Sequence, residues 1–426
     1  MDEALSAALK ELFQTKLNGV MRMYLDTCAR CGLCIESCHV YASMPESRYT
    51  AVGRAEIVRK IFRRYFKLEG KFAPWLGEVL EFDDDTVRRL YDAAYSCTGC
   101  RRCMVHCPFG IDTQQIMGIA KALLIGADQE PKLLSMLADM SIAKGETIAD
   151  SGAGYAEALK NLGPEVLALW PEPSHGPDGV ALDPIPYGVK GARVLYVALS
   201  GSHSVVNAAA IMNAAGESWT VSSFEAVNFG AFMGDPVRMK KIAARIVNEA
   251  KALGVEEVAI VECGTAYRVM RHMVGDLLGE HGFRVVAFVE LIARYLREGR
   301  IALKPGTIEG SITYHDPCQI GRNGGIYEEP REVIRALTGN FVELTPNRAE
   351  NWCCGGGGGL IAMGEEDFRM KSSRVKAEQL KASGAAIVTT ACENCHSQLA
   401  DLNRHYELGM KVEFLSALAA RALVKP

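Results

Sequence analysis

His315-Asp316-Pro317-Cys318, Cys353-Cys354-Gly355-Gly356-Gly357-Gly358-Gly359 and Cys392-Glu393-Asn394-Cys395 are the three segments around which the carboxyl-terminal part of this chain is organised. Between Cys318 and Cys353 lie 34 residues, and between Gly355 and Cys392 lie 36, so five thiols come from three places in one region. Successive side chains on an extended backbone point apart. Cys353 and Cys354 are therefore poorly suited to grip one metal atom of a simple cube, but they can serve different metal atoms of a broader inorganic centre. Gly355 to Gly359 lack side chains where the backbone must bend and approach that centre closely. A phosphate-binding glycine loop is the competing reading, but the lysine of G-x4-G-K-[ST] is absent.

Working outward, residues from 193 onward alternate short apolar runs with helical periodicity. Strands are expected at 194–199, 258–261, 285–289, 312–314, 341–344, 386–389 and 412–414, and helices at 236–253, 265–278, 365–382 and 415–423. This texture predicts an α/β domain with largely parallel sheets. The domain repeats itself: Met233-Gly234, Arg238-Met239-Lys240 and Cys263 recur as Met363-Gly364, Arg369-Met370-Lys371 and Cys392. Glycine and cysteine stand 29 residues apart in the first copy and 28 in the second. The copies differ where chemistry would sit. Asn228-Phe229-Gly230 corresponds to Cys353-Cys354-Gly355, Ala266 to Cys395, and Ser200 or Ser202 to Cys318, so the first copy keeps one thiol of five. Cys263 reads as a buried structural thiol.

Toward the amino terminus, Cys28-Ala29-Arg30-Cys31-Gly32-Leu33-Cys34-Ile35-Glu36-Ser37-Cys38 and Cys97-Thr98-Gly99-Cys100-Arg101-Arg102-Cys103-Met104-Val105-His106-Cys107-Pro108 both follow C-x2-C-x2-C-x3-C. This is the bacterial ferredoxin pattern for two 4Fe-4S clusters: three closely spaced thiolates wrap one cube, and the fourth reaches the other. Cys28, Cys31, Cys34 and Cys107 are assigned to one cubane, and Cys97, Cys100, Cys103 and Cys38 to the other. Tetrahedral zinc sites usually show paired C-x2-C spacing instead. One departure is that His39 follows Cys38 where proline follows Cys107. Between the motifs, helices are expected at 53–66 and 84–94, the second capped by Asp83, Asp84 or Asp85. Arg54, Arg59, Lys60, Arg63, Arg64 and Lys67 read as a solvated basic face, with docking of an acidic electron-transfer partner as the second reading. Helical pattern also covers 2–18 and continues from 111 to 143. Pro171, Pro173, Pro177, Pro184 and Pro186 then mark irregular chain.

The expected organisation is a helical, ferredoxin-type di-cluster domain at 1–145, a Pro/Gly-rich linker at 146–190, a degenerate repeat at 191–305 and a cluster-binding repeat at 306–426. The 426 residues suffice for several sizeable cores. The net charge of -4 offers no support for nucleic-acid binding. The acidic start Met1-Asp2-Glu3 lacks the basic region of a secretion signal, and the uncharged run 194–216 reads as strand, turn and buried helix rather than a membrane span. A cytoplasmic setting, peripheral to a membrane through a partner, is expected. Fourteen cysteines at these spacings then favour clusters over disulfides.

The combination C-x34-CCG-x36-C-x2-C, preceded by His-Asp-Pro, resembles the cysteine-rich CCG domain of heterodisulfide reductases. With the two ferredoxin motifs ahead of it, the chain resembles the heterodisulfide reductase-like iron-sulfur proteins over about residues 20 to 420. The resemblance implies a non-cubane 4Fe-4S cluster held by Cys318, Cys353, Cys354, Cys392 and Cys395, in addition to the two cubane 4Fe-4S clusters. It also implies disulfide reduction, or thiol oxidation in reverse, within an anaerobic respiratory or electron-bifurcating complex. Disulfide reduction takes two electrons, and His315 and His396, adjacent to ligand segments, are candidate proton donors to the leaving thiolates. With no flavin or nicotinamide fingerprint in the sequence, the electron source is expected to be a flavoprotein, another iron-sulfur protein or a membrane cytochrome b. The alternative is an electron-transfer protein with no substrate of its own.

Overall fold

The computed structural model describes residues 1–75, 78–144, 152–199 and 202–425. They gather into two compact units that do not follow chain order. One comprises Met1–Met136, Gly230–Asp235 and Ala349–Glu378; the other comprises Leu137–Phe229, Pro236–Arg348 and Gln379–Pro426.

The first unit is helical. Its main helices, Glu3–Lys16, Gly19–Thr27, Ala51–Phe66, Asp84–Tyr95 and Thr113–Gly126, begin where a side-chain oxygen can take an orphan N–H. Asp2, Asn18, Thr50 and Asp83 each accept from the residue three positions on, at 2.7–2.9 Å. Asp83 is thus the cap among the three candidate aspartates. Leu9, Phe13, Val58, Ile61, Phe62, Leu90, Ile116 and Leu124 form the buried interior; each such side chain stabilises by about 1.5–3 kcal/mol relative to an exposed one. The helical pattern over 111–143 resolves into two helices, Thr113–Gly126 and Lys132–Lys144, because Asp128 adopts φ +57 and Pro131 opens the second.

The solvated basic face is a correction. Arg54 and Arg59 are buried: Arg54 donates to Cys38 Sγ at 3.3 Å and to Ser96 Oγ and O at 3.0 Å, and Arg59 donates to Leu25 O at 3.0 Å. Lys60, Arg64 and Lys67 pair with Glu78, Glu81 and Asp26. The basic residues here serve the unit's own thiols, carbonyls and carboxylates.

Among the described residues, the second unit holds eight strands: β1 (Val194–Val197), β2 (Trp219–Val221), β3 (Glu257–Ile260), β4 (Arg284–Ala287), β5 (Ile312–Tyr314), β6 (Phe341–Val342), β7 (Ile387–Thr390) and β8 (Lys411–Phe414). They form two four-stranded sheets of order β2-β1-β3-β4 and β6-β5-β7-β8, with every neighbouring pair parallel. Parallel strands flanked by helices are buried on both faces and read as unbroken apolar runs, as in β1, β3 and β7, which are buried at every position. The sequence reading lacks β2; three residues, Trp219-Thr220-Val221, are too few for periodicity to register. The helix expected over 265–278 breaks at Met273 into Gly264–His272 and Val274–Leu278.

Part of the stretch expected to be irregular is helical, Gly152–Leu169. The prolines that argued against regular structure, Pro171 to Pro186, all follow it. Ser200, one of the two residues compared with Cys318, lies outside the described residues.

Candidate metal centres

The two ferredoxin-type loops share a backbone. In the first, Arg30 (φ 55) and Gly32 (φ 85) are left-handed; in the second, Gly99 (φ 66) and Arg101 (φ 61) occupy the same two motif positions and are also left-handed. An arginine in this conformation is disfavoured, by roughly 1–2 kcal/mol for an L-residue. Alternating right- and left-handed residues turn successive N–H groups into an anion-binding concavity. That is what a cluster with thiolate ligands needs.

Cys38, Cys97, Cys100 and Cys103 line one hollow, together with Arg54 and Thr113. The fourth cysteine of the first motif thus stands beside the first three of the second. Burial pushes the Cys103 thiol well up, and Cys100 and Cys97 add to the shift, while the Thr113 side chain opposes it. Burial likewise raises Cys97, against the neighbouring Arg54 charge. Burial disfavours the charge on Arg54, but Cys38 and Cys97 outweigh that cost and raise its pKa. A buried guanidinium among four thiols is a fit for an anionic cluster. For the other set, burial pushes Cys34 up to about 11, with Cys28 and Cys107 contributing like charge. Cys31, the fourth of that set, is exposed.

The Cys353-Cys354 segment belongs to this same helical unit. Thr98 Oγ1 and Cys353 Sγ are 3.4 Å apart. The Gly355 and Gly356 N–H groups donate to Cys353 and Cys354 Sγ, each at 3.4 Å. Part of the glycine run also packs on protein backbone. A Cβ at Gly357 would stand 2.7 Å from Thr98 O, and one at Gly358 2.5 Å from Cys97 O, so backbone packs directly on the loop that carries Cys97. Lys121, buried on an apolar helix, donates to Gly358 O at 2.9 Å and to Phe232 O at 2.7 Å. Burial lowers its pKa to about 8, against the pull of Cys97. Lys121 ties both later segments, 230–235 and 349–378, to the helix Thr113–Gly126. Sequence reasoning missed it; the signal was a lone lysine in Ile119-Ala120-Lys121-Ala122-Leu123.

His39 is buried, and neither ring nitrogen has a hydrogen-bond partner among the described residues. One of its nitrogens, Cys100 Sγ and Cys353 Sγ all lie within 4.8 Å of one another.

In the second unit, Cys318 lies in the loop after β5, and Cys392 caps the helix Glu393–His405 after β7. Ligands at the carboxyl ends of parallel strands are the general rule for α/β sheets. Asp316 fixes the first loop: Arg331, itself fully buried, donates to its carboxylate at 2.8 and 3.0 Å, and Arg348 N at 2.8 Å. Cys392 is more acidic than an ordinary thiol because the Cys395 side chain hydrogen-bonds to it; burial opposes this, and the Gly264 and Cys395 N–H groups assist. Gly264 follows β3 of the other sheet, so the helix after β3 lends an N–H to the thiol that follows β7. A Cβ there would stand 2.8 Å from Gln319 Cβ, and only glycine fits. Beside it, burial pushes Cys263 up to about 12, with Cys392 contributing.

The candidate proton donors differ. His315 is buried with a ring nitrogen within 4.8 Å of Cys395 Sγ. His396 stacks on Phe414, centroids 4.0 Å apart, with planes 10° from parallel.

Residues 24–111 match the family described as 4Fe-4S dicluster domain, and residues 312–400 match the CCG family, the cysteine-rich domain. The chain is similar to heterodisulfide reductase iron-sulfur proteins. A dihydromethanophenazine:CoB–CoM heterodisulfide reductase chain from Methanosarcina mazei is 26% identical, over 96% of both chains. An Hdr-like menaquinol oxidoreductase iron-sulfur subunit 2 from Archaeoglobus fulgidus is 27% identical over 96% of this chain and 81% of that protein. An EtfAB:quinone oxidoreductase from Syntrophomonas wolfei is 24% identical, over 88% of this chain and 55% of its own length. This is an iron-sulfur electron-transfer protein related to Hdr-like oxidoreductases. Among the described residues, no helix is long and apolar enough to cross a membrane.

Proposed function

We propose that the chain carries electrons through two 4Fe-4S cubanes, held by Cys28, Cys31, Cys34 and Cys107 and by Cys97, Cys100, Cys103 and Cys38, to a non-cubane 4Fe-4S cluster held by Cys318, Cys353, Cys354, Cys392 and Cys395. At that last centre a small disulfide is reduced, or two thiols are joined. When bound, the clusters supply one-electron carriers and a sulfur-binding iron site; the chain positions them, excludes water and places His315 and His396 near the ligands as proton donors. The observation that carries this reading is the Cys353 segment packed on the Cys97–Thr98 loop within one unit, which sets a cubane ligand loop against a CCG ligand.

Domain organisation follows the same reading: a di-cluster domain at 1–145, a connecting stretch at 146–190, a first repeat at 191–305 that has lost four of five thiols, and a cluster-binding repeat at 306–426. It is supported by the shared strand order of the two sheets, by Cys263 and Cys392 each capping the helix after the third strand, and by left-handed Gly234 and Gly364. The electron source is a separate redox partner, either a flavoprotein, another iron-sulfur protein or a membrane cytochrome b that would hold the chain at the membrane.

A second reading, electron relay without a substrate, draws on the relatives whose names specify menaquinol or quinone and no disulfide. Iron analysis with EPR tests the cofactors: about twelve irons are expected from three four-iron clusters, and about eight would remove the third. Turnover of small disulfides with a reduced viologen separates the two readings. No turnover, with a cluster signal indifferent to added thiols, leaves the relay.

A further inference from the structure

His39 stands where the second motif has Pro108, and the structure gives the substitution a purpose. The ring is 2% exposed, both nitrogens lack a partner among the described residues, and one of them is within 4.8 Å of Cys100 Sγ and Cys353 Sγ. Leaving a buried polar group unsatisfied costs about 1–3 kcal/mol, and such groups in native proteins usually point to a partner outside the protein atoms. The acceptors that cluster binding would bring to this spot are sulfurs. A neutral imidazole offers one N–H donor, and hydrogen bonds to cluster sulfur set reduction potential.

We propose that His39 is the hydrogen-bonding link between the centre ligated by Cys100 and the centre ligated by Cys353, and that its N–H sets the difference in potential between them. The inference rests on the cluster assignment above. His39 acts as a positioning residue: it neither carries the electron nor breaks a bond. One electron leaves the first centre, which is oxidised, and enters the second, which is reduced; donation to sulfur stabilises whichever centre accepts the N–H in its more negative, reduced state. Thr98 Oγ1 and Gly355 N already face Cys353 at 3.4 Å, so the same small volume holds three polar groups directed at cluster ligands. A single ion bound by His39, Cys100 and Cys353 would instead take Cys100 out of its four-cysteine set.

The test is EPR-monitored redox titration of the purified chain with H39L, H39F and H39Q. Wild type is examined first: about eight irons there defeats the five-cysteine reading before His39 is at issue. Given twelve, H39L and H39F should keep their iron and lower the potential of one of the two centres, changing the electron-sharing equilibrium about tenfold, ~59 mV for a one-electron couple. H39Q, which returns an N–H, should recover much of the shift. Unchanged potentials in iron-replete H39L and H39F overturn the proposal. So does a strong, directly bonded nitrogen coupling in wild type, which makes His39 an iron ligand. If H39L and H39F lose iron while H39Q retains it, the N–H role stands; loss in all three assigns the ring to packing and overturns it.

Discussion

The two sheets share a strand order yet carry their charge networks at opposite ends. In the first, Glu257 opens β3 and accepts from Arg193 at 3.0 Å, Arg294 at 2.9 Å and Arg284 at 2.7 Å, while Glu217, ahead of β2, accepts from Arg193 at 2.8 Å, Tyr295 at 2.9 Å and Arg300 at 3.1 Å. In the second, Ile387 opens β7, and the network of Arg331, Asp316 and Glu343 follows β5 and β6, where the chain leaves the sheet for the ligand loops. One network clamps strands at their amino ends; the other shapes the loop that carries Cys318. Two sheets of one strand order can therefore carry their ion pairs at the amino ends of the strands or beside the thiol-bearing loops at the carboxyl ends, the ends at which α/β sheets place their ligands.

The largest expected effect comes from removing a thiol in the second copy. If three four-iron clusters are present, Cys354→Ala should lose up to about four irons of twelve or alter the third cluster's EPR signal, with the cubane signals intact, since Cys354 is a proposed ligand of that cluster alone. Retention of all twelve with that signal unaltered would break the contrast between the copies. Next is Gly358→Ala, at a residue with φ +71 whose added Cβ would meet Cys97 O at 2.5 Å. Left-handed backbone costs roughly 1–2 kcal/mol for a residue with a side chain, and the overlap adds to it. Lower thermal stability and a reduced third-cluster signal are expected, read by unfolding and by EPR; a variant that matches wild type in both would mean that the glycine run is not a packing device.

Glu257→Gln probes the first network and should cost about 1.5–3 kcal/mol, the worth of hydrogen bonds to a charged group. Burial alone would raise the Glu257 pKa, but the Arg294 and Arg284 side chains hold it down to about 2. Its folded value is thus below the ordinary ~4.3 of an unfolded chain. The unfolded state binds more protons between these values, so the wild-type advantage is full above about pH 4.3 and fades as pH falls through about 2. Denaturant unfolding at several pH values reads this; a gap between wild type and variant that persists unchanged toward pH 2 would assign the effect to packing.

The gathering of Cys38 with Cys97, Cys100 and Cys103 was legible because the spacing that an inorganic core requires does not depend on the surrounding fold. Strands β1, β3, β5 and β7 were legible as apolar runs. What spacing cannot carry is which distant segments meet: that 349–378 packs with the amino-terminal helices depends on Lys121 and on Gly357 and Gly358 lying flat against Cys97 and Thr98. Arg54 was misread for a related reason. A basic residue on an amphipathic helix is usually solvated, and only the thiols around it turn it inward.

The smallest expected effect is the sharpest comparison, between the twin cysteines Cys263 and Cys392. Each caps the helix after the third strand of its sheet and each is buried. Yet burial drives Cys263 up to about 12, whereas the Cys395 side chain draws Cys392 below an ordinary thiol. At neutral pH the first is a protonated, apolar space-filler; the second is shifted toward the acidic side of an ordinary thiol, the direction that favours the metal-ligating thiolate. One difference lies three residues on, where Ala266 follows Cys263 and Cys395 follows Cys392. Cys263→Ala should then keep all twelve irons and unfold with a loss of about 1 kcal/mol or less, the scale of a small truncation in a core. Loss of iron in that variant would make Cys263 a sixth thiol of the cluster site, and the first copy would no longer be the silent one.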